Sequence, residues 1–594
     1  MKLAPRNILD GRRDIEDIQG LSIIKDVTWD EKESLWFIKI KMDIAEISEE
    51  LTLKRTNWYI TIDETYPDGE VKIYPATDNG VCYTYPHQSY NSYTEGKLWR
   101  NGSPCLETDN IKLNRGKSFE NFFSAYEKIE WYCKRLRHWI ILASKDELQS
   151  NGDYFELPIF PSDNYKMVVF NESPNTYAKW IKSKSVFGRA TFHNMKSKKE
   201  VTLVKDMLTE KGKIRRGINW GNIIEENSEI DGAWLLLKSV PIINHWTVPN
   251  TYNELNEICK KQGINLLSIM EQIAKKFRDG KRHILLIGFP IPNKIGEDNM
   301  QIHWQSLILP LFSYGKLPYK GFMNKEKSYW LKDKINIFKN DKKLEWIMSK
   351  NWNEDTLLSR GRIDKRIIDS KIIVIGCGSL GGTISENLVR AGVKNITLAD
   401  GDSFQSGNIA RHNLTLENLS KKKVIALSER LSFCNPNTII NYIDYDIGNN
   451  RFEKVDLNKY DIIIDCTGSD ELIRYIDRYE FKNNSKFISI SVSKGAKRLY
   501  LYSCISNNIS YEKFIKELNK YQLNEIENID TVREGVGCWH PVFPAKGYEM
   551  NLMSSIAIEY IEDLIKYNTI SELGSFSIYE KLYSDNRFIG INKL

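Results

Sequence analysis

Gly376-Cys377-Gly378-Ser379-Leu380-Gly381 lies between a short apolar run, Lys371 to Ile375, and a helical pattern through Ile384, Leu388 and Val389. Glycines at Gly376, Gly378 and Gly381 allow backbone N–H groups to meet a phosphate at a helix N-terminus. Asp400 closes the next apolar run, Ile396 to Ala399, where a carboxylate is placed to accept a ribose hydroxyl. A dinucleotide or ATP would satisfy that much. The following residues break the tie. Asp402, Asn408, Arg411 and Lys423 add two cations near the expected phosphates. Hydride transfer has no use for them. Adenylation does, because negative charge gathers on pyrophosphate as it leaves. Lys421 and Lys422 compete with Lys423 for the lysine's part. Asp465 and Asp470 flank Cys466-Thr467-Gly468-Ser469 after another apolar run.

Two cysteines sit where thiol chemistry is feasible. Cys538 lies in Gly535-Val536-Gly537-Cys538-Trp539-His540-Pro541, and Cys105 in Gly102-Ser103-Pro104-Cys105-Leu106-Glu107. A thiolate is the competent nucleophile, and a nearby imidazole favours it. Cys82 lacks the leucine that follows Cys105 and reads as structural. The nine cysteines form no Cys-x-x-Cys pair, so neither a disulfide framework nor a zinc site is expected.

Elements to carry these residues are legible in places. Trp36 to Met42, Trp58 to Ile62 and Val71 to Tyr74 read as strands, with a turn at Tyr66-Pro67-Asp68-Gly69. Phe119 to Ala143 reads as a helix. Ala233 to Val240 and His283 to Phe289 read as buried strands, and Leu255 to Phe277 as one or two helices. From Asp364 onward strand and helix alternate as far as Asp461 to Asp465, which predicts a doubly wound parallel sheet. The 594 residues exceed one core, and three domains are expected: an α+β domain over 1–150, a central α+β domain over 151–345 and an α/β domain over 346–594. The central stretch shows no recognisable site chemistry. A balance of 84 basic against 78 acidic side chains gives no reason to expect a nucleic-acid partner. No apolar run approaches the ~18 residues of a membrane span and no signal peptide opens the chain, so a cytoplasmic protein is expected.

Asp400-Gly401-Asp402, Asn408, Arg411 and Lys423 together resemble the signature of ubiquitin-activating and sulfur-carrier-activating (ThiF-type) adenylyltransferases, which implies a Rossmann-like ATP-Mg site. Val424 and Ala426 match the helix that follows the family lysine, which favours Lys423. The family's aspartate-asparagine pair is Gly468-Ser469 here, which leaves Asp465 and Asp470 as alternatives for magnesium. Pro541 replaces the second cysteine of the zinc pair found in sulfur-carrier activators. Ser359-Arg360 resembles the family arginine that reaches a partner subunit's ATP site, and the resemblance implies a homodimer.

Asn57-Trp58-Tyr59-Ile60, the turn at Tyr66-Pro67, Tyr85-Pro86-His87 and Cys105-Leu106 resemble, in order, the landmarks of ubiquitin-conjugating enzymes. Gln88 stands where that family's turn has asparagine. Both resemblances in one chain are similar to the fused enzymes of bacterial antiphage operons built around cyclic-oligonucleotide synthases. They imply adenylation of a protein C-terminus, a thioester on Cys538, transfer to Cys105 and ligation to an amine, with the synthase as the protein substrate. The alternatives are an activating enzyme for another ubiquitin-like or peptide substrate, and a nucleotide-binding adaptor whose catalysis has decayed.

Overall fold

A computed structural model describes residues 2–107, 127–182, 185–315, 325–448, 455–522, 532–534, 540–542 and 545–594. The chain forms two compact units. The first holds Met1–Asn194, Lys198–Ile218 and Asn227–Asn351; the second holds Met195–Ser197, Asn219–Glu226 and Trp352–Leu594. Among the described residues, no helix is long and apolar enough to cross a membrane.

The first unit opens with helix α1 (Arg6–Asp14) and an antiparallel meander of β1 (Leu21–Asp30), β2 (Leu35–Asp43), β3 (Arg55–Ile62) and β4 (Val71–Pro75). Alternation in β2 sends Trp36, Ile38, Ile40 and Met42 to one face, each buried side chain contributing about 1.5–3 kcal/mol. Helix α2 (Glu127–Ser144) covers that face through Ile129, Leu136, Trp139 and Ile140. The expected start of this helix, 119–126, lies outside the described residues. On the opposite face Phe37, Tyr59, Ala76 and Trp99 make a smaller core, and the irregular segment 76–107 also sends Val81, Tyr85 and Leu106 into the larger one. That segment carries Cys105.

The rest of the first unit is an eight-stranded sheet in the order β5-β12-β11-β10-β9-β6-β7-β8. Its strands are β5 (Ser162–Phe170), β6 (Phe187–Met195), β7 (Lys198–Thr209), β8 (Ile214–Gly217), β9 (Ile230–Leu236), β10 (Ile284–Ile291), β11 (Gln301–Ile308) and β12 (Glu345–Asn351). β5 pairs in parallel with both β12 and β7, so the sheet closes on itself. The expected strand at 233–240 begins three residues earlier, at Ile230, and ends at Leu236. Beyond helix α3 (Pro174–Ile181), the apolar stretch 255–277 resolves into two helices, α4 (Tyr252–Lys261) and α5 (Leu266–Lys276). Gly263 at φ +74° and the Asn265 cap, whose side chain accepts from the Ser268 N–H at 3.1 Å, separate them. Both pack on Leu285, Ile287 and Phe289.

After α6 (Glu326–Lys334), the second unit contains a sheet in the order β15-β14-β13-β16-β17-β18-β21-β22. Five strands are parallel: β13 (Lys371–Ile375), β14 (Asn395–Ala399), β15 (Ile439–Ile443), β16 (Ile462–Asp465) and β17 (Lys486–Val492). Helices α7 (Ser379–Arg390), α8 (Lys423–Cys434) and α9 (Asp470–Asp477) accompany them. The sheet then continues antiparallel through β18 (Arg498–Ile505), which the sequence pattern does not announce. After α10 (Tyr511–Gln522) and a small ribbon of β19 (Val532–Glu534) with β20 (His540–Val542), α11 (Gly547–Lys566) packs on α7. β21 (Ser575–Ser584) and β22 (Arg587–Lys593) complete the antiparallel part. The sheet is therefore mixed, with a doubly wound parallel half.

Candidate functional site

In the parallel half, strand order reverses between β13 and β16, and a crevice opens at the carboxyl ends of such strands. Register brings those ends level: Ile375 lies opposite Ala399 on one side and Asp465 on the other. The glycine turn follows directly. Gly376 has φ +84°, and its N–H donates to the Ala399 carbonyl at 2.8 Å. A Cβ on Gly381 would stand 2.0 Å from the Gly376 carbonyl oxygen. Turn and helix can approach so closely only with glycine there. Gly378 caps α7, whose first N–H groups have no partner within the helix. Gly381→Ala is accordingly expected to displace the turn and weaken nucleotide binding by at least about tenfold, read by calorimetric titration with ATP.

Asp400 accepts the Cys377 N–H on one oxygen and the Asp402 N–H on the other, both at 2.8 Å. Burial pushes its carboxyl up, against the pull of the Lys423 charge and these two N–H groups. Each carboxylate oxygen retains a further lone pair for a hydroxyl. Lys423 is the first residue of α8 and is buried, and its Nζ lies 2.7 Å from Asp402 Oδ2. The neighbouring lysines point elsewhere. Lys422 Nζ donates to the Gly401 carbonyl, and Lys421 lies 3.6 Å from Glu429. Gly376, Gly378, Asp400, Asp402 and Lys423 line one cleft of about 800 Å³.

A second cleft of about 630 Å³ adjoins it, sharing Gly378, Cys466, Thr467 and Ser469. Arg411, Asp465 and Asp470 line this one, together with Lys494, Tyr500 and Met550. Arg411 is held by its loop. Its carbonyl accepts from Ser379 Oγ at 2.6 Å, the His412 Nε2–H donates to the Cys377 carbonyl at 2.9 Å, and Asn413 Nδ2 donates to the Gly382 carbonyl at 3.1 Å. His412 Nδ1 accepts from the Leu414 N–H, and burial holds the ring pKa down, so the ring is a neutral staple. Its role is hidden in the Asn408-to-Asn413 motif. Asn408 lines neither cleft: its Oδ1 accepts the Gln405 N–H, and its carbonyl accepts from Arg411 and His412.

The two aspartates differ. Asp465 is fully buried, with one oxygen accepting from the Thr467 N–H and hydroxyl and the other from Ser489 Oγ. Burial raises its pKa. Asp470 opens α9 and is exposed to the cleft. Among the described residues, no group of three or more His, Cys, Asp or Glu side chains gathers to hold a metal. A magnesium ion would be held in the manner usual for nucleotide sites, by one or two carboxylates, phosphate oxygens and water.

Cys538 falls in residues 535–539, outside the described residues. The flanking strands β19 and β20 pair antiparallel, Glu534 opposite His540. Cys105 is exposed beside a groove of about 360 Å³ lined by Glu70, Lys72, Tyr74, Ser89, Glu107 and Tyr132. Leu106 is buried beneath it and its carbonyl accepts from Arg135 Nε. The buried Gln88 amide binds at both ends, Oε1 to the Tyr85 N–H and Nε2 to the Gly102 carbonyl, both at 2.8 Å. It ties the Pro86-His87-Gln88 turn to the irregular stretch that leads to Cys105. Cys82 is also exposed, but it is not part of the groove. Burial raises the thiols of Cys133, Cys377 and Cys466.

Residues 146–352 match the Cap2 central linker domain and residues 352–519 match the ThiF family. The chain is 28% identical over 534 residues to the ATP-dependent ubiquitin transferase-like protein Cap2 of Enterobacter hormaechei, covering 89% of each chain. The Vibrio cholerae protein of the same description is 36% identical over 126 residues, 20% of this chain and 21% of that one. Molybdopterin-synthase adenylyltransferase of Haemophilus influenzae is 32% identical over 110 residues, 18% of this chain and 45% of that one.

Proposed function

The chain belongs to the Cap2-type, ThiF-containing ubiquitin transferase-like enzymes, and from that premise we propose that it activates a protein's C-terminus with ATP and relays it through Cys538 and Cys105 to an amine. One observation carries the first step: a glycine turn, a ribose-ready carboxylate and a buried lysine line one cleft, and Arg411 lines the next. The two clefts suit two reactants, nucleotide on the Asp400–Lys423 side and an extended polypeptide end on the Arg411–Tyr500 side. They meet over Gly378 and Thr467, where carboxylate and α-phosphate must react.

In the proposed sequence a carboxylate oxygen attacks the α-phosphorus and pyrophosphate leaves. Lys423 and Arg411 stabilise the departing charge from fixed positions. Bound magnesium would neutralise phosphate charge, with the exposed Asp470 as its carboxylate ligand and Asp465 shaping the Thr467 turn. The Cys538 thiolate then attacks the acyl carbon and expels AMP. The Cys105 thiolate displaces Cys538, and an amine finally displaces Cys105, giving an amide. The proposed protein substrate is a cyclic-oligonucleotide synthase, in an antiphage role and with the chain as a homodimer, as the resemblance of its sequence to the fused enzymes of antiphage operons implies.

ATP rather than NAD is the expected nucleotide. Asp400 would accept a ribose hydroxyl from either, whereas Lys423 and Arg411 suit a triphosphate. Calorimetric titration of the full chain with each should show saturable ATP binding and none for NAD. Tight NAD binding without ATP binding would restore a dehydrogenase.

A further inference from the structure

The loop beside Cys105 is held from outside its own sheet. Thr84 donates its N–H to Thr247 Oγ1 at 2.9 Å, and its carbonyl accepts the Trp246 N–H at 2.9 Å. Tyr85 Oη is 3.0 Å from His245 Nε2, and the two rings stack at 4.1 Å. Tyr90 donates to Asn250 Oδ1 at 2.7 Å. A further bond comes from Glu156. Its Oε2 accepts the His87 backbone N–H at 3.0 Å and lies 3.0 Å from His87 Nδ1. His87 in turn offers its carbonyl to the Cys105 N–H at 2.6 Å.

His87 sits at φ +55°, a conformation that a side-chain-bearing residue adopts only when its surroundings enforce it. One carboxylate oxygen gripping both the backbone and the imidazole supplies that enforcement. We propose that Glu156 is a positioning residue for Cys105: it fixes the His87 turn, whose carbonyl fixes the backbone at the thiol. The half-buried carboxyl is held below its ordinary range by the two His87 hydrogen bonds, against the upward effect of burial. The inference rests on the reading of Cys105 as an acyl carrier, but its test does not use that reaction.

The test alkylates the full-length chain with iodoacetamide and follows Cys105 and Cys82 separately by peptide mass spectrometry. Cys82 is exposed in the same domain and lies outside the Cys105 groove, which makes it the internal standard. Glu156→Ala should change the Cys105-to-Cys82 rate ratio by at least about threefold. It should also speed amide exchange in the 84–91 and 103–106 segments by about tenfold, the worth of a hydrogen bond to a charged group. Glu156→Gln keeps an oxygen for the His87 N–H and should recover most of both effects. An unchanged ratio in Glu156→Ala, an equal change at both cysteines, or identical behaviour of the Ala and Gln chains would overturn the proposal. If Cys105→Ala conjugates normally while these shifts occur, the relay fails and the positioning stands.

Discussion

Lys423→Ala is expected to slow adenylate formation by about 10²–10³-fold while leaving the fold intact. The ammonium group is buried at the head of α8, held in place by Asp402 at 2.7 Å, and needs no reorganisation when phosphate charge arrives. Its loss strands no partner, because the Asp402 side chain is 70% exposed and water replaces the lysine. The measurement is ATP–pyrophosphate exchange with the cognate protein substrate, with the thermal midpoint as control. Lys421→Ala should exchange normally, since that side chain points toward Glu429. Arg411→Ala should resemble Lys423→Ala, because its cleft meets the nucleotide cleft at Gly378. Near-normal exchange in both the Lys423 and Arg411 variants would refute adenylation at this site.

Equally large effects are expected from the two thiols, and they should separate the steps. Cys538→Ala should still exchange pyrophosphate, because adenylation needs no thiol, yet form no thioester on either cysteine. Cys105→Ala should charge Cys538, accumulate that reducible adduct and complete no conjugation. Non-reducing electrophoresis with ATP and the cognate protein resolves these outcomes. Loading of Cys105 in the Cys538→Ala chain would mean direct transfer from the adenylate. Normal conjugation by Cys105→Ala would leave the N-terminal domain without a part in the reaction. The acyl group moves between thioesters of similar energy, so the relay depends on positioning more than on driving force.

The parallel half of the second unit is legible in the sequence. Lys371 to Ile375, Ile396 to Ala399 and Ile462 to Asp465 are apolar because both faces of a parallel strand are covered, and a short apolar run beside a glycine turn suits little else. β18 and β21 interleave Tyr and Ser with apolar residues and carry no comparable signal, so the antiparallel extension stays hidden. Three consecutive lysines compete in the sequence, where Val424 and Ala426 favour Lys423 by resemblance, and Lys423 is the one that begins α8. The two aspartates look equivalent, because nothing in Asp465-Cys466-Thr467 announces that Ser489, from the next strand, will seal one of them. Glu156 is invisible for the same reason: its partner His87 is 69 residues away.

The closure of the central sheet bears on how the chain is made. β5 pairs with β7, which follows soon after it, and with β12, so the second edge of residues 162–170 waits for residues 345–351. At about 5–20 residues per second on the ribosome, that separation amounts to roughly 10–40 s during which β5 has emerged and the strand that completes it has not. Pairing at such separation is slow to form and leaves strand edges exposed meanwhile. The first unit is thus the stage of synthesis most open to mispairing, whereas the longest wait in the parallel half of the second, from β13 to β16, is shorter.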